Sequence, residues 1–284
     1  MPSALNSNNI IDTRNPVNRL HSLNRGTLSW HLGLANLTGG VKFLDLMGLN
    51  HGTLTNMGTG SGWSPTARQG GFSQIIFDGT NDTIDCGTAY PMFGTGDFTL
   101  AAWVFVTAGV NATHGIFERG NTPVTRLLEF KLQGSPEPNT GSLVFDLYDG
   151  VNNPSVSSVV DYRGAWHHFV VTKQPSGAGG FTIYVDGKNV GNTATYTIGT
   201  YENAADSFLF GKRTDYGTYL AGKGDDFHVW KRALTSLEVK SYYDLSRMGY
   251  PGLLNYVRTV SMPAVAAAGV VAGPYQLMIQ PGRI

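Results

Sequence analysis

Cysteine is nearly missing from this chain. Cys86 stands alone, which excludes an internal disulfide framework. Charge is scarce too: Asp, Glu, Lys and Arg make up 14% of the 284 residues, against about a quarter in ordinary domains. Twenty cationic side chains balance twenty anionic ones, so no global field favours nucleic acid or an anionic membrane, and neither is expected as a partner. Long apolar runs are lacking. The most apolar stretch, AVAAAGVVAGPYQLMI (264–279), is too short and too broken by Gly and Pro to cross a bilayer. MPSALNSNNIID (1–12) has no basic n-region and no apolar h-region, so no Sec-type signal is read and synthesis in a reducing cytoplasm is expected.

Glycine, by contrast, is plentiful at 37 residues, and with Thr, Asn and aromatics it suits short strands joined by tight turns. Strand signals run from TLSWHLG (27–33) to DDFHVWK (225–231). In DFTLAAWVFV, Phe98, Leu100, Ala102, Val104 and Val106 share one face. Asp186-Gly187 between two extended runs predicts a hairpin. SGAGG (176–180) predicts a second hairpin tip, and GSPEPNTG (134–141) a loop. One helix is predicted, over 235–248, with Thr235 and Glu238 at capping-box spacing and a stripe of Leu234, Leu237, Tyr242 and Leu245. The pattern predicts an all-β fold: a two-sheet antiparallel jelly-roll sandwich with one short C-terminal helix and extended terminal arms. The boundaries read as an N-terminal arm over 1–26, the jelly roll over 27–248 and an extended tail over 249–284.

Four segments carry a resemblance. FLDLMGLNHGTLTN (43–56), FDGTNDTIDCG (77–87), the set DFTLAAWVF, WHHFVVTK and FTIYVDGK, and GDDFHVWKRAL (224–234) follow in order. Together they resemble the concanavalin A-like jelly rolls of the laminin-G type. The flanks NPVNRLHSLNRGTLSWHLGL (15–34) and SRMGYPGLLNYVR (246–258) resemble those of jelly-roll proteins from bacteriophage and prophage virions. The resemblance implies a sandwich; function must come from a site.

Asp225 and Asp226 are the first candidates for chemistry. Successive strand side chains point to opposite faces, so the two are expected to part and not to flank one glycosidic bond. The glucanases of the superfamily carry an E-x-D-x-x-E strand motif, which is missing around Glu118, Glu129, Glu137, Glu202 and Glu238. The expectation is a carboxylate that accepts backbone N–H bonds. The resemblance also implies a structural Ca²⁺, for which Asp45, Asn50, Asp82 and Asp226 would supply oxygens. His167 and His168 are adjacent on a strand and read as structural. Cys86 reads as a small buried thiol, and GTGSG (58–62) as a Gly-rich connection without phosphate-loop context.

Trp63, Tyr148, Tyr201, Tyr216 and Tyr219 fall in or beside loop-like segments and are candidates for stacking on sugar faces. Three functions compete. The flanks point to a non-catalytic structural module of a phage particle (decoration, fibre or spike) whose arms bind other virion proteins or copies of itself. The second is a lectin-like carbohydrate-binding module of a bacterial surface or secreted protein, with cell-surface glycans as partners. The third, a polysaccharide-degrading enzyme, lacks a recognisable carboxylate pair.

Overall fold

In the computed structural model, which describes residues 9–11, 16–33, 41–64, 66–120, 127–135, 140–174, 180–193, 195–214 and 216–258, the alternating segments form two stacked antiparallel sheets. Sheet I runs Ser155–Ser157 (β12), Leu143–Tyr148 (β11), Leu127–Leu132 (β10), His114–Gly120 (β9), Leu209–Phe210 (β16), Thr83–Asp85 (β7), Gly52–Thr55 (β4) and Lys42–Phe43 (β3). Sheet II runs Lys188–Asn192 (β15), Phe181–Val185 (β14), Trp166–Lys173 (β13), Phe98–Val106 (β8), Ala221–Trp230 (β19), Gln74–Asp78 (β6) and Gly62–Ser64 (β5). Thr27–His31 (β2) pairs with the far half of β19. A small hairpin, Lys212–Arg213 (β17) with Thr218–Tyr219 (β18), forms a separate two-stranded ribbon. The all-β sandwich expected from the pattern is therefore the architecture found.

The main core lies between the sheets. The predicted face of β8, from Phe98 to Val106, points into it. The other face of β8 is covered as well, because a second core forms on the outside of sheet II. The helix Ser236–Arg247 (α1) packs there, started by the predicted capping box: the Glu238 N–H donates to Thr235 Oγ1, and the Thr235 N–H to Glu238 Oε2. Its inward residues are Val239, Tyr242 and Ser246. Leu237 is 76% exposed, contrary to the expected stripe, because two residues along a helix turn a side chain to roughly the opposite side from Val239. Coverage on both faces explains why β8 is apolar at every position but Thr99 rather than alternating.

The predicted Asp186-Gly187 hairpin joins β14 to β15, with φ of 52° and 76°, as a primed turn requires. The Asp186 carboxylate accepts the His168 N–H at 3.0 Å and meets His167 Nδ1 at 2.8 Å. In the stretch read as an N-terminal arm, Val17 and Leu23 are buried in the second core, and Trp230 Nε1 donates to Leu23 O. Asn9–Ile11 (β1) pairs with Tyr256–Arg258 (β20), so parts of the two terminal stretches bond to each other. Residues 176–179 of the expected tip, 136–139 of the 134–141 loop and the apolar run 264–279 lie outside the described residues.

Candidate functional site

The acidic pair does not part as strand alternation demands. Opposite β8, the register of β19 steps from Asp225 to His228 while β8 steps only from Trp103 to Ala101. Two residues of β19 thus face one of β8, which is a bulge. Asp226 takes it up at a φ of 58°, a left-handed conformation that Asp tolerates better than most residues. Both carboxylates consequently lie outside sheet II, and both meet Arg68: Asp225 Oδ2 is 2.9 Å from Nε, and Asp226 Oδ2 is 3.8 Å from a terminal nitrogen. Asp225 Oδ1 also accepts the N–H groups of Gly33 and Asp226, the backbone role expected for one of the pair. Asp226 Oδ1 accepts from Trp30 Nε1 at 2.6 Å and from the Tyr242 hydroxyl at 2.8 Å. The guanidinium lies 4.5 Å from the Trp103 ring centroid and donates to Tyr250. All three charged side chains are buried. This is a closed clamp that ties β2, β19 and α1 together, and it offers a substrate no approach.

The residues named for calcium do not fit that ion. The Asp45 carboxylate accepts four backbone N–H groups, from Trp30, Met47, Leu49 and Asn50, so its oxygens face donors rather than a cation. The Asn50 side chain donates to Leu28 O, Asp82 accepts the Asp78 N–H in the β6–β7 turn, and Asp226 belongs to the Arg68 clamp. Among the described residues no three His, Cys, Asp or Glu side chains gather to hold a metal. Cys86 Sγ lies 4.0 Å from His31 Nε2. Burial pushes the thiol well above its ordinary pKa and lowers that of the imidazole, so neither carries charge for nucleophilic chemistry. His168 is buried among aromatic rings, and burial, with Arg68 nearby, holds its pKa down to about 3.

The outer face of sheet I differs in character. Strand register aligns Asp146, Glu129, Glu118, Leu209, Asp85, Thr53 and Lys42 in one row across it. The β17–β18 hairpin lies over the middle of this row. Arg213 ion-pairs with Glu129, and the Thr214 N–H donates to Glu118 Oε2 at 2.6 Å. Lys131 holds Glu129 and Asp146 at 2.5 and 2.7 Å. Glu118 and Glu129 thus form the opposed carboxylate pair that no linear motif could show, at a Cβ spacing of about 5 Å. Both are fully buried, and burial raises the pKa of Glu129 against the pull of Lys131 and Arg213.

Beside the hairpin the face opens into a polar cleft of about 530 Å³. Thr55, Asn56, Asn81 and Thr83 form one side, Asp206 and Ser207 the other, with Asp85 and Leu209 on the floor and Lys212, Thr214 and Tyr219 supplied by the hairpin. The five candidate aromatics divide accordingly. Tyr219 lines the cleft. Tyr216 is 67% exposed at the hairpin tip, its ring centroid 3.8 Å from the Arg213 guanidinium carbon. Tyr148 is half-buried on the same face, in the row that reaches Gly120 of the cleft through Leu127. Trp63 packs against Phe43 and the main core. Tyr201 is 1% exposed, its hydroxyl bonded to Gly94 O at 2.6 Å, so its reading as a surface aromatic is corrected: it fills the core at one end of the sandwich.

Gly115 sets how closely the hairpin sits. A Cβ there would lie 2.2 Å from Lys212 O, so Gly115→Ala lifts the hairpin from β9. The expected result is at least about tenfold faster native-state trypsin cleavage at Lys212 or Arg213, with the loss of stability confined to about 1–3 kcal/mol. Unchanged cleavage would show that the hairpin is held elsewhere.

Residues 78–240 match the family model described as the concanavalin A-like lectin/glucanases superfamily, of the laminin G type. The chain belongs to this superfamily. A search among curated proteins gave no match. Among solved structures, the superfamily fold is shared with the Trypanosoma rangeli sialidase in complex with sialic acid, at 15% identity and a TM-score of 0.57 over 78% of this chain and 33% of that one. It is shared also with the binding domain of botulinum neurotoxin serotype C1, at 13% identity and a TM-score of 0.57 over 79% and 53%. The serotype D ligand-binding domain in complex with N-acetylneuraminic acid matches at 10% identity and a TM-score of 0.55 over 77% and 50%. The chain thus spans a third to a half of the proteins it matches, and the likeness is one of fold. These comparisons lend no support to a place in a virion.

Proposed function

We propose that the protein is a carbohydrate-binding module that holds a glycan in the cleft on the outer face of sheet I. The observation that carries this reading is the cleft itself, where Tyr219 offers a ring face beside hydrogen-bonding groups on Asn56, Asn81, Thr83 and Asp85. Sugars present that combination of an apolar face and ringed hydroxyls. Two of the matched structures are of proteins in complex with a sialic acid, which supports a glycan as the ligand without fixing the subsite or the kind of sugar. The reading is of binding without catalysis, since the paired carboxylates near the cleft, Glu118 and Glu129, are enclosed and neutralised by cations and N–H donors.

A glycan array followed by titration calorimetry tests it. The protein is expected to bind at least one oligosaccharide class at micromolar to millimolar strength. Tyr219→Ala is expected to weaken that binding by about tenfold, the size of one well-placed aromatic contact, with the melting temperature kept. Undiminished affinity in the variant would remove the cleft from the binding site.

A further inference from the structure

Resting on that reading, we infer that the cleft selects against glycans bearing a carboxylate and takes neutral or amino-bearing sugars. A carboxylated sugar asks for a guanidinium or a group of cations at its carboxylate. Among the described residues lining the cleft, Lys212 supplies the one cationic side chain, against the carboxylates of Asp85 and Asp206. Its ammonium lies 5.7 Å from the centroid of the Tyr219 ring.

The arginines nearby are engaged elsewhere. Arg213 is paired with Glu129 and stacked on Tyr216. Arg119 is buried, donating to the carbonyls of Tyr90 and Thr88 and lying 3.6 Å from Glu202; its charge also acts on Asp206, so Asp85 carries the larger share of the repulsion. Asp85 spends one oxygen on the Gly87 N–H at 2.7 Å, and among the described residues no ion pair holds it. Such carboxylates accept bonds from sugar hydroxyls or from an amino group. They repel a third carboxylate at close range, and this repulsion is screened by salt.

The test uses paired glycans that differ by one terminal sialic acid, such as lactose with its two sialyl-lactoses and their N-acetyllactosamine counterparts. Glucosamine oligomers serve as the amino-bearing probe. Affinities are read by calorimetry or NMR at low and high salt. The expected result is that the uncapped member binds at least about fivefold more tightly than its sialylated partner in low salt, with the ratio shrinking as salt rises. In Asp85→Asn the ratio, with both affinities measured in the variant itself, also falls, even where loss of the Asp85 hydrogen bond weakens both members. Equal or tighter binding of the sialylated members, sensitive to Tyr219→Ala, overturns the inference and leaves the glycan reading standing. Binding by no member of any pair, and by no glucosamine oligomer, overturns both.

Discussion

Arg68→Met is expected to cost about 3–5 kcal/mol of folding stability, the range for removing one partner of a buried ionic cluster. For a domain with a total near 5–15 kcal/mol, that is the difference between a folded and a marginal protein. The size follows from the clamp. Asp225 and Asp226 are both buried, and Arg68 is the cation that each of them meets. Without it, two carboxylates on adjacent residues face one another in a closed space, with donors that include Trp30 Nε1, the Tyr242 hydroxyl and the N–H groups of Gly33 and Asp226. The Arg68 ring contacts with Trp103 and Tyr250 are lost as well. Denaturant unfolding measures the effect. The triple variant R68M/D225N/D226N is expected to recover most of the loss, because it removes the stranded charge along with its partner. A loss below about 1 kcal/mol in the single variant would mean that water or movement relieves the carboxylates, and the clamp would not be the tie described.

The clamp also marks the limit of what could be read from the sequence. The sandwich was legible because strand alternation, an Asp-Gly turn and a capping box are local signals, and each is found where it was expected: in β8, at Asp186-Gly187 and at Thr235. The fate of Asp225 and Asp226 was not legible. A bulge moves one residue across the sheet, and it depends on what the neighbouring strand and the loop bearing Arg68 supply. That arginine, in the polar stretch PTARQGG (65–71), carries no pattern of its own. The cleft was hidden for a related reason. The polar positions of LLEFKL show that Glu129 and Lys131 face away from the core, but only strand pairing sets Glu129 beside Glu118 and Asp146. Of the aromatics, Tyr216 and Tyr219 sit on a hairpin over an open face, whereas Tyr201, equally loop-like in sequence, turns into the core. Composition cannot separate those outcomes, because both surfaces accept a tyrosine.

His168→Phe is expected to make the protein markedly more resistant to acid. The imidazole is fully buried between Trp103, Tyr242 and Tyr243, and neither ring nitrogen has a hydrogen-bond partner among the described residues. Burial, with the charge of Arg68 in support, lowers its pKa to about 3, while in the unfolded chain it stays near the ordinary 6.5. Below pH 6.5 the unfolded state therefore binds a proton that the folded state refuses, and stability falls as pH drops from about 6.5 toward 3, at up to about 1.4 kcal/mol per pH unit. By pH 4 the variant is expected to be about 3 kcal/mol more stable relative to wild type than it is at pH 7.5. Asp226→Asn carries the opposite sign. Burial, reinforced by Asp225 and opposed by Arg68, raises the Asp226 pKa to about 7, so the folded state holds a proton that the unfolded state releases above about pH 4. That contribution to stability is present at acid pH and is lost as pH rises from about 4 to 7, against the rise that His168 gives over nearly the same range, so removing it is expected to steepen the climb in stability between pH 4 and 7. Paired stability–pH curves for the two variants against wild type separate the terms. If the His168→Phe difference did not grow below pH 6.5, the ring would have to be taking up a proton in the folded state, and the aromatic enclosure around it would be open to water.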